Sequence, residues 1–144
     1  MNVYTIEELK SWFYKIVIKD EDCFVKGNEL YKDGKYTEAI KYYRKHLENH
    51  SYDYTCCNNI GICYTYIHDY NIALKYFFRA KDMIEENIQH SNKDIYCDVL
   101  FNIGCIYYFK KDKKKALSYY KKTKNINPNY TDCINMIKKV MNEM

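Results

Sequence analysis

Apolar residues recur at helical spacing over most of the chain. In 5–19, Ile6, Leu9, Trp12, Phe13, Ile16 and Val17 form one stripe, and Thr5 with Glu8 has the spacing of a capping box, so a helix is predicted there. In 131–144, Cys133, Ile134, Ile137, Val140 and Met141 predict another helix in the same way. Between these segments the pattern has a longer period. Gly27 and Gly61 stand 34 residues apart, and each is followed twelve residues later by an alanine, Ala39 and Ala73; Gly104 and Ala116 repeat that interval. The three segments read GNELYKDGKYTEAIKYYRKHL, GICYTYIHDYNIALKYFFRAK and GCIYYFKKDKKKALSYYKKTK. Further stations align in the same frame: Leu30 with Tyr64 and Tyr107, Ile40 with Leu74 and Leu117, and Tyr43 with Phe77 and Tyr120.

Small residues at fixed stations let paired helices approach closely. A mid-helix glycine costs about 1 kcal/mol against alanine, and close packing against a neighbour offsets that cost. Gly27, Gly61 and Gly104 are therefore predicted packing residues on the first helix of each pair, with Ala39, Ala73 and Ala116 answering from the second. In the last helix Lys138 holds the glycine station. Nothing further needs to pack there, as a terminal capping helix requires. From Gly61 to Gly104 the interval is 43, so nine residues are added around 86–96. This predicts a lengthened second helix, a Ser91-Asn92-Lys93 loop, and Asp94 capping the next helix.

The pattern resembles the tetratricopeptide repeat family, whose unit is a helix pair of about 34 residues. The resemblance covers roughly 20–130, with units at 20–53, 54–87 and 97–130, an extended connection at 88–96, and flanking helices at 5–19 and 131–144. It implies an all-α, right-handed α-solenoid of three helix-turn-helix repeats, one domain across 1–144. The departures are specific. The family's first-helix Trp station holds Cys23, Cys57 and Leu100, and its Leu station holds Lys26, Ile60 and Ile103. The late alanine station holds His46, Ala80 and Thr123. The first repeat is the least typical, which suits an end of the stack. Pro128 stands where the family often ends a unit.

Composition narrows the class. An apolar share of 47% over 144 residues fits a folded chain, and only four Gly and one Pro argue against a turn-rich sandwich or barrel. The 18 tyrosines suit half-buried helix faces, since the ring packs while the hydroxyl stays wet. A net charge of +4 is too small to imply nucleic acid. The charge is uneven, however: Lys110, Lys111, Lys113, Lys114, Lys115, Lys121, Lys122 and Lys124 lie close together with Asp112 as the only acid among them. That run reads first as a solvated turn and helix face, and second as a docking patch for an acidic partner. The seven cysteines are odd in number, and the opening MNVYTIEELK has acids and no apolar core. A reducing, cytoplasmic setting is expected, with thiols acting as small hydrophobes. The Asn129-Tyr130-Thr131 pattern for N-glycosylation is read as chance. No apolar run approaches the ~20 residues that span a bilayer.

In the resembled fold the first helices line a concave groove. This implies a ligand face of Phe24, Val25, Asn28, Tyr31 and Lys32, then Thr55, Asn58, Asn59, Ile62 and Tyr66, then Asp98, Phe101, Asn102, Cys105, Tyr108 and Phe109. Asn59 and Asn102 share one station, and Asn28 follows Gly27 on the same face. A carboxamide both donates and accepts, so a row of them can hold an extended backbone without reading its sequence. Chaperone-binding relatives grip a C-terminal carboxylate with two asparagines and several basic residues. Asn28 and Asn59 match the asparagines, but the basic stations hold Phe24, Asp98 and Asn102. The groove is thus expected to be neutral and aromatic, suited to an internal peptide or a partner helix.

Cys56, Cys57 and Cys63 sit on one predicted helix with no second C-x-x-C pair, and His46, His50, His68 and His90 lack ligand spacing, so no metal is expected. No nucleotide, dinucleotide or hydrolase motif occurs, and neither a cofactor nor catalysis is implied. The expected role is a protein-binding adaptor without a nucleic-acid or membrane partner. Two alternatives stand beside it. One is an assembly subunit or homo-oligomer that buries Trp12, Phe13 and Ile16 of the terminal helix. The other is an electrostatic module built on the lysine run.

Overall fold

The computed structural model describes residues 3–144, with the side chains at 17–21, Val17 among them, outside the described set. It contains α1 (Ile6–Lys32), α2 (Tyr36–Asn49), α3 (Tyr54–Tyr66), α4 (Tyr70–Glu86), a 3-10 turn (Ile88–His90), α5 (Lys93–Phe109), α6 (Lys113–Ile126) and α7 (Thr131–Glu143), and no strand among the described residues. Connections of three to six residues force successive helices to turn back on one another. Each helix packs chiefly against its neighbours in sequence, which makes the fold an all-helical solenoid.

The local chemistry explains where the helices begin and end. Thr5 opens α1 with a capping box: its Oγ1 accepts from the Glu8 backbone N–H at 3.1 Å, and the Glu8 carboxylate accepts from the Thr5 N–H at 2.8 Å. Asp53, Asp69 and Asp112 cap α3, α4 and α6 by accepting backbone N–H groups. The three-residue turns between α1 and α2, α3 and α4, and α5 and α6 each use one residue in the left-handed region. Gly34, His68 and Lys111 supply it at equivalent stations, with φ of 73°, 62° and 67°. The N–H of the following residue then satisfies a helix-end carbonyl, Lys35 to Leu30, Asp69 to Tyr64 and Asp112 to Tyr107, each at 2.9 Å.

Two sequence expectations need correction. The helices expected separately in 5–19 and in the first repeat are one continuous 27-residue helix, α1. No Gly or Pro lies between Lys15 and Phe24 to break it. The cap of α5 is Asn92, not Asp94. Asn92 Oδ1 accepts from the N–H groups of Asp94 and Ile95, while Asp94 lies inside the first turn, where the helix dipole favours an acid. The added residues are also shared. Helix α4 is lengthened to 17 residues, as expected, but α5 is 17 as well, against 14 for α2 and 13 for α3.

A Cβ placed on Gly27 would lie 2.6 Å from the Tyr43 ring, one on Gly61 2.5 Å from Phe77, and one on Gly104 2.7 Å from Tyr120. These rings, with Ala39, Ala73 and Ala116, are buried. One core cluster runs from Leu30 through Ile106, and a second joins Ala116 and Tyr120 of α6 to Cys133, Ile137 and Val140 of α7.

Candidate peptide-binding groove

The candidate ligand residues sit on α1, α3 and α5, the first helix of each pair. Phe24, Asn28, Tyr31, Asn59, Ile62, Asn102 and Tyr108 are half-buried, and Tyr66 is 54% exposed. The asparagines are joined across the helices. Asn28 Oδ1 accepts from the Tyr43 hydroxyl at 2.7 Å and from Asn59 Nδ2 at 3.4 Å. Asn102 Nδ2 donates to Asn58 Oδ1 at 3.1 Å. Asn58 is almost fully buried, so this bond satisfies a carboxamide that water does not reach. Asn59 and Asn102 share a station but are tied to different partners. Each spends one N–H, and a carboxamide keeps further capacity beyond that.

The other polar groups of α5 are tied down by α6, by the cap of α7 and by α7 itself. Tyr130 donates to Asp98 Oδ1 at 2.6 Å. Burial first, then this bond to the carboxylate, raises the Tyr130 pKa. Tyr120 donates to Cys105 Sγ, and burial pushes the Cys105 thiol up to about 11. Tyr108 donates to the Glu143 carboxylate at 3.0 Å, and Lys139 lies 5.4 Å from the Tyr108 ring centre. Sequence reasoning missed Lys139 and Glu143. Both become visible when the 34-residue frame is carried into the last helix, where they follow Lys138 by one and five residues.

Aromatic pairs close the turn end of the first two junctions. Tyr36 of α2 stacks on Tyr66 of α3, with centroids 4.5 Å apart and planes 3° from parallel, and Tyr31 meets both edges. Burial, followed by Tyr66, raises the pKa of Tyr31. At the same stations Tyr70 of α4 stacks on Phe109 of α5 at 5.4 Å. At the third junction those stations hold Lys113 and Glu143, which form an ion pair at 3.6 Å. Tyr66 and Phe109, read from sequence as ligand residues, thus also fasten neighbouring repeats together.

Phe24, Asp98 and Asn102 occupy the stations where a carboxylate grip needs cations. Phe24 packs on Tyr43 and His46, Asp98 accepts from Tyr130, and Asn102 donates to Asn58. Among the described residues no three His, Cys, Asp or Glu gather to hold a metal ion. No described helix is long and apolar enough to cross a membrane.

Models of the tetratricopeptide repeat match residues 27–56 and 97–130. The chain belongs to the tetratricopeptide repeat family. Its relatives include the BBSome complex member BBS4 of Bos taurus, 30% identical over 108 residues, covering 75% of this chain and 19% of the relative. The chain spans about a fifth of the length of the curated relatives it matches. Among solved tetratricopeptide structures, the first repeat domain of Spaghetti (RPAP3) bound to the HSP90 peptide SRMEEVD superposes with a TM-score of 0.75 at 22% identity. That match covers 87% of this chain and 92% of the other. The TPR2AB domain of yeast Sti1, in complex with pHSP90, gives 0.76 at 24% identity over 86% and 46%. At these identities the likeness establishes the shared fold.

Proposed function

We propose that this tetratricopeptide domain is a non-catalytic, cytoplasmic adaptor that binds an internal peptide segment or a helix of a partner protein. The ligand face is Phe24, Asn28, Tyr31, Asn59, Ile62, Tyr66, Asn102 and Tyr108, within units at 20–53, 54–87 and 97–130. The observation that carries the reading is the pairing of carboxamides on adjacent first helices, beside aromatic rings and without cations at the three grip stations. Carboxamides held by neighbours are preorganised to pair with a peptide backbone. Each such bond adds only ~0.5–1.5 kcal/mol net, so ring burial must supply most of the affinity. The Spaghetti and Sti1 domains supply precedent for peptide binding on this fold. With Phe24 and Asp98 at two grip stations, a free terminal carboxylate gains nothing here.

The test has two arms. Asn59→Ala with Asn102→Ala should weaken capture of the partner while helicity stays intact. A peptide ending in EEVD should bind no better than the same peptide with an amidated C-terminus. Unchanged partner affinity in the double variant removes the groove, and a clear preference for the free acid restores the carboxylate grip.

A second reading has its own observation. The first turns of α1 expose Ile6 by 70%, Leu9 by 50%, Trp12 by 65% and Phe13 by 64%. An apolar stripe of this kind is expected on an assembly surface. Trp12 is the sole tryptophan, so burial of this stripe between copies would shift its emission to shorter wavelength as concentration rises. A constant spectrum and a constant sedimentation coefficient would remove self-assembly.

A further inference from the structure

We propose that the solvent face of α6 is a second docking surface, separate from the groove, and that it takes a short Asp/Glu-rich segment of a partner protein. The helix buries Ala116, Tyr120 and Thr123 and exposes Lys114, Ser118, Lys121, Lys122, Lys124 and Asn125. No acid occurs in α6. Eight lysines against one aspartate lie between 110 and 124, while the rest of the chain carries more acid than base. The basic charge is therefore concentrated on one element.

The structure separates the lysines that are occupied from those that are not. Lys113 pairs with Glu143, Lys115 with Asp112, and Lys110 with the Asn71 carboxamide. Lys114, Lys121 and Lys124 have no carboxylate within ion-pair distance among the described residues. Lys122 is held over the Tyr119 ring at 4.8 Å, and Lys115 over Tyr107 at 5.2 Å. Tyr107 and Tyr119 stack on each other at 5.8 Å. Two ammonium groups are thus steadied by a stacked ring pair, which lowers the ordering cost of meeting an anion.

Size and surroundings choose the occupant. From Lys114 to Lys124 the helix rises about 15 Å at 1.5 Å per residue. An extended peptide covers that length in about five residues at roughly 3.3 Å each. Asp82 and Glu85 of α4 border the patch, close enough to act electrostatically on Tyr119. A long polyanion such as single-stranded RNA would run into these acids and the acid-rich remainder of the chain. Glu85 also acts on Lys122, so the occupant is a short acidic segment centred on Lys114, Lys121 and Lys124, which no acid holds among the described residues.

The probes are a fluorescent hexaglutamate peptide, the same peptide with serine in place of glutamate, and a hexanucleotide of single-stranded RNA. Hexaglutamate should bind the full chain, weaken several-fold as salt rises from about 0.05 to 0.3 M, and exceed both other probes. Lys114→Gln with Lys121→Gln and Lys124→Gln should lower its affinity about fivefold or more, with helicity and melting temperature unchanged. A charge-matched control, Lys35→Gln with Lys41→Gln and Lys75→Gln, should change it less than twofold. The Asn59→Ala, Asn102→Ala variant should retain hexaglutamate binding, which keeps this test separate from that of the groove. Absent binding, equal loss in the control, or tighter binding of RNA would each overturn the proposal.

Discussion

A methyl group at position 61 has nowhere to go. Its carbon would stand 2.5 Å from the Phe77 ring, which is itself 1% exposed and cannot swing into water. Gly61→Ala should therefore destabilise the chain by about 1–3 kcal/mol, against the helix-propensity gain that alanine brings elsewhere. The urea midpoint reads this directly, and a midpoint at or above wild type would contradict the packing role. Shrinking the ring with Phe77→Leu in the same chain should cost less than the two changes added separately, because the methyl would occupy vacated space. The cysteines make a second residue-scale prediction. Burial raises the thiols of Cys57, Cys105 and Cys133 to about 11 and that of Cys63 to about 12, from an ordinary value of 9.0. Below pH 9 these thiols are neutral whether folded or unfolded and cost nothing. Above pH 9 the unfolded chain ionises them and the folded chain does not, so stability falls through pH 11–12. Melting temperatures at pH 8 and pH 10.5 should show that drop, and it should shrink in Cys63→Ala relative to that variant's own value at pH 8. At pH 8 a thiol reagent should label these cysteines slowly in the native protein and fast in urea.

Helix junctions in this solenoid are fastened by one device in two chemistries. Rings stack at Tyr36–Tyr66 and Tyr70–Phe109, while Lys113–Glu143 is an ion pair whose side chains are each 34% exposed. An aromatic pair contributes about 0.5–1.5 kcal/mol beyond its burial, and a partly exposed ion pair about 0–1 kcal/mol, less in salt. A double-mutant cycle on Tyr36→Ala and Tyr66→Ala should thus give a larger coupling than one on Lys113→Gln and Glu143→Gln, and only the second should fade at 1 M salt. Equal couplings with equal salt response would show that the ion pair is a full substitute. These junctions also mark how far the sequence could be read. The glycine and alanine stations were legible because a ring of the second helix seated against the first helix's backbone leaves room only for small residues there, so the interval repeats. The junction pairs were not, because they join stations in adjacent repeats and change residue type between them. The asparagine ties were hidden for the same reason: Asn58 stands three residues before its glycine, where the other repeats have Phe24 and Phe101. The cap of α5 was misplaced because Asn92 and Asp94 are both good caps, and only the path of the chain after the 3-10 turn decides between them.

Contacts that run from each helix to its neighbours give the whole molecule a nearest-neighbour stability. Its two core clusters differ in size. The larger runs from α1 to α5, and the smaller holds α7 onto α6 through Ala116, Tyr120, Cys133, Ile137 and Val140. Damage should therefore stay local or spread according to where it falls. Val140→Ala removes a fully buried side chain from the smaller cluster and should cost about 1–3 kcal/mol. Amide hydrogen exchange should then quicken in α6 and α7, while α2 and α3 keep wild-type protection. Ile60→Ala, at the centre of the larger cluster, should cost about 2–5 kcal/mol and quicken exchange in α2, α3 and α4 together. Uniform acceleration in both variants would mean that the chain opens only as a unit. The separation bears on binding, because α7 holds Asp98 and Tyr108 through Tyr130 and Glu143. If α7 opens alone, Val140→Ala should weaken ligand binding at the α5 end of the groove and leave the Asn28–Asn59 end intact, and ligand should in turn slow exchange in α7.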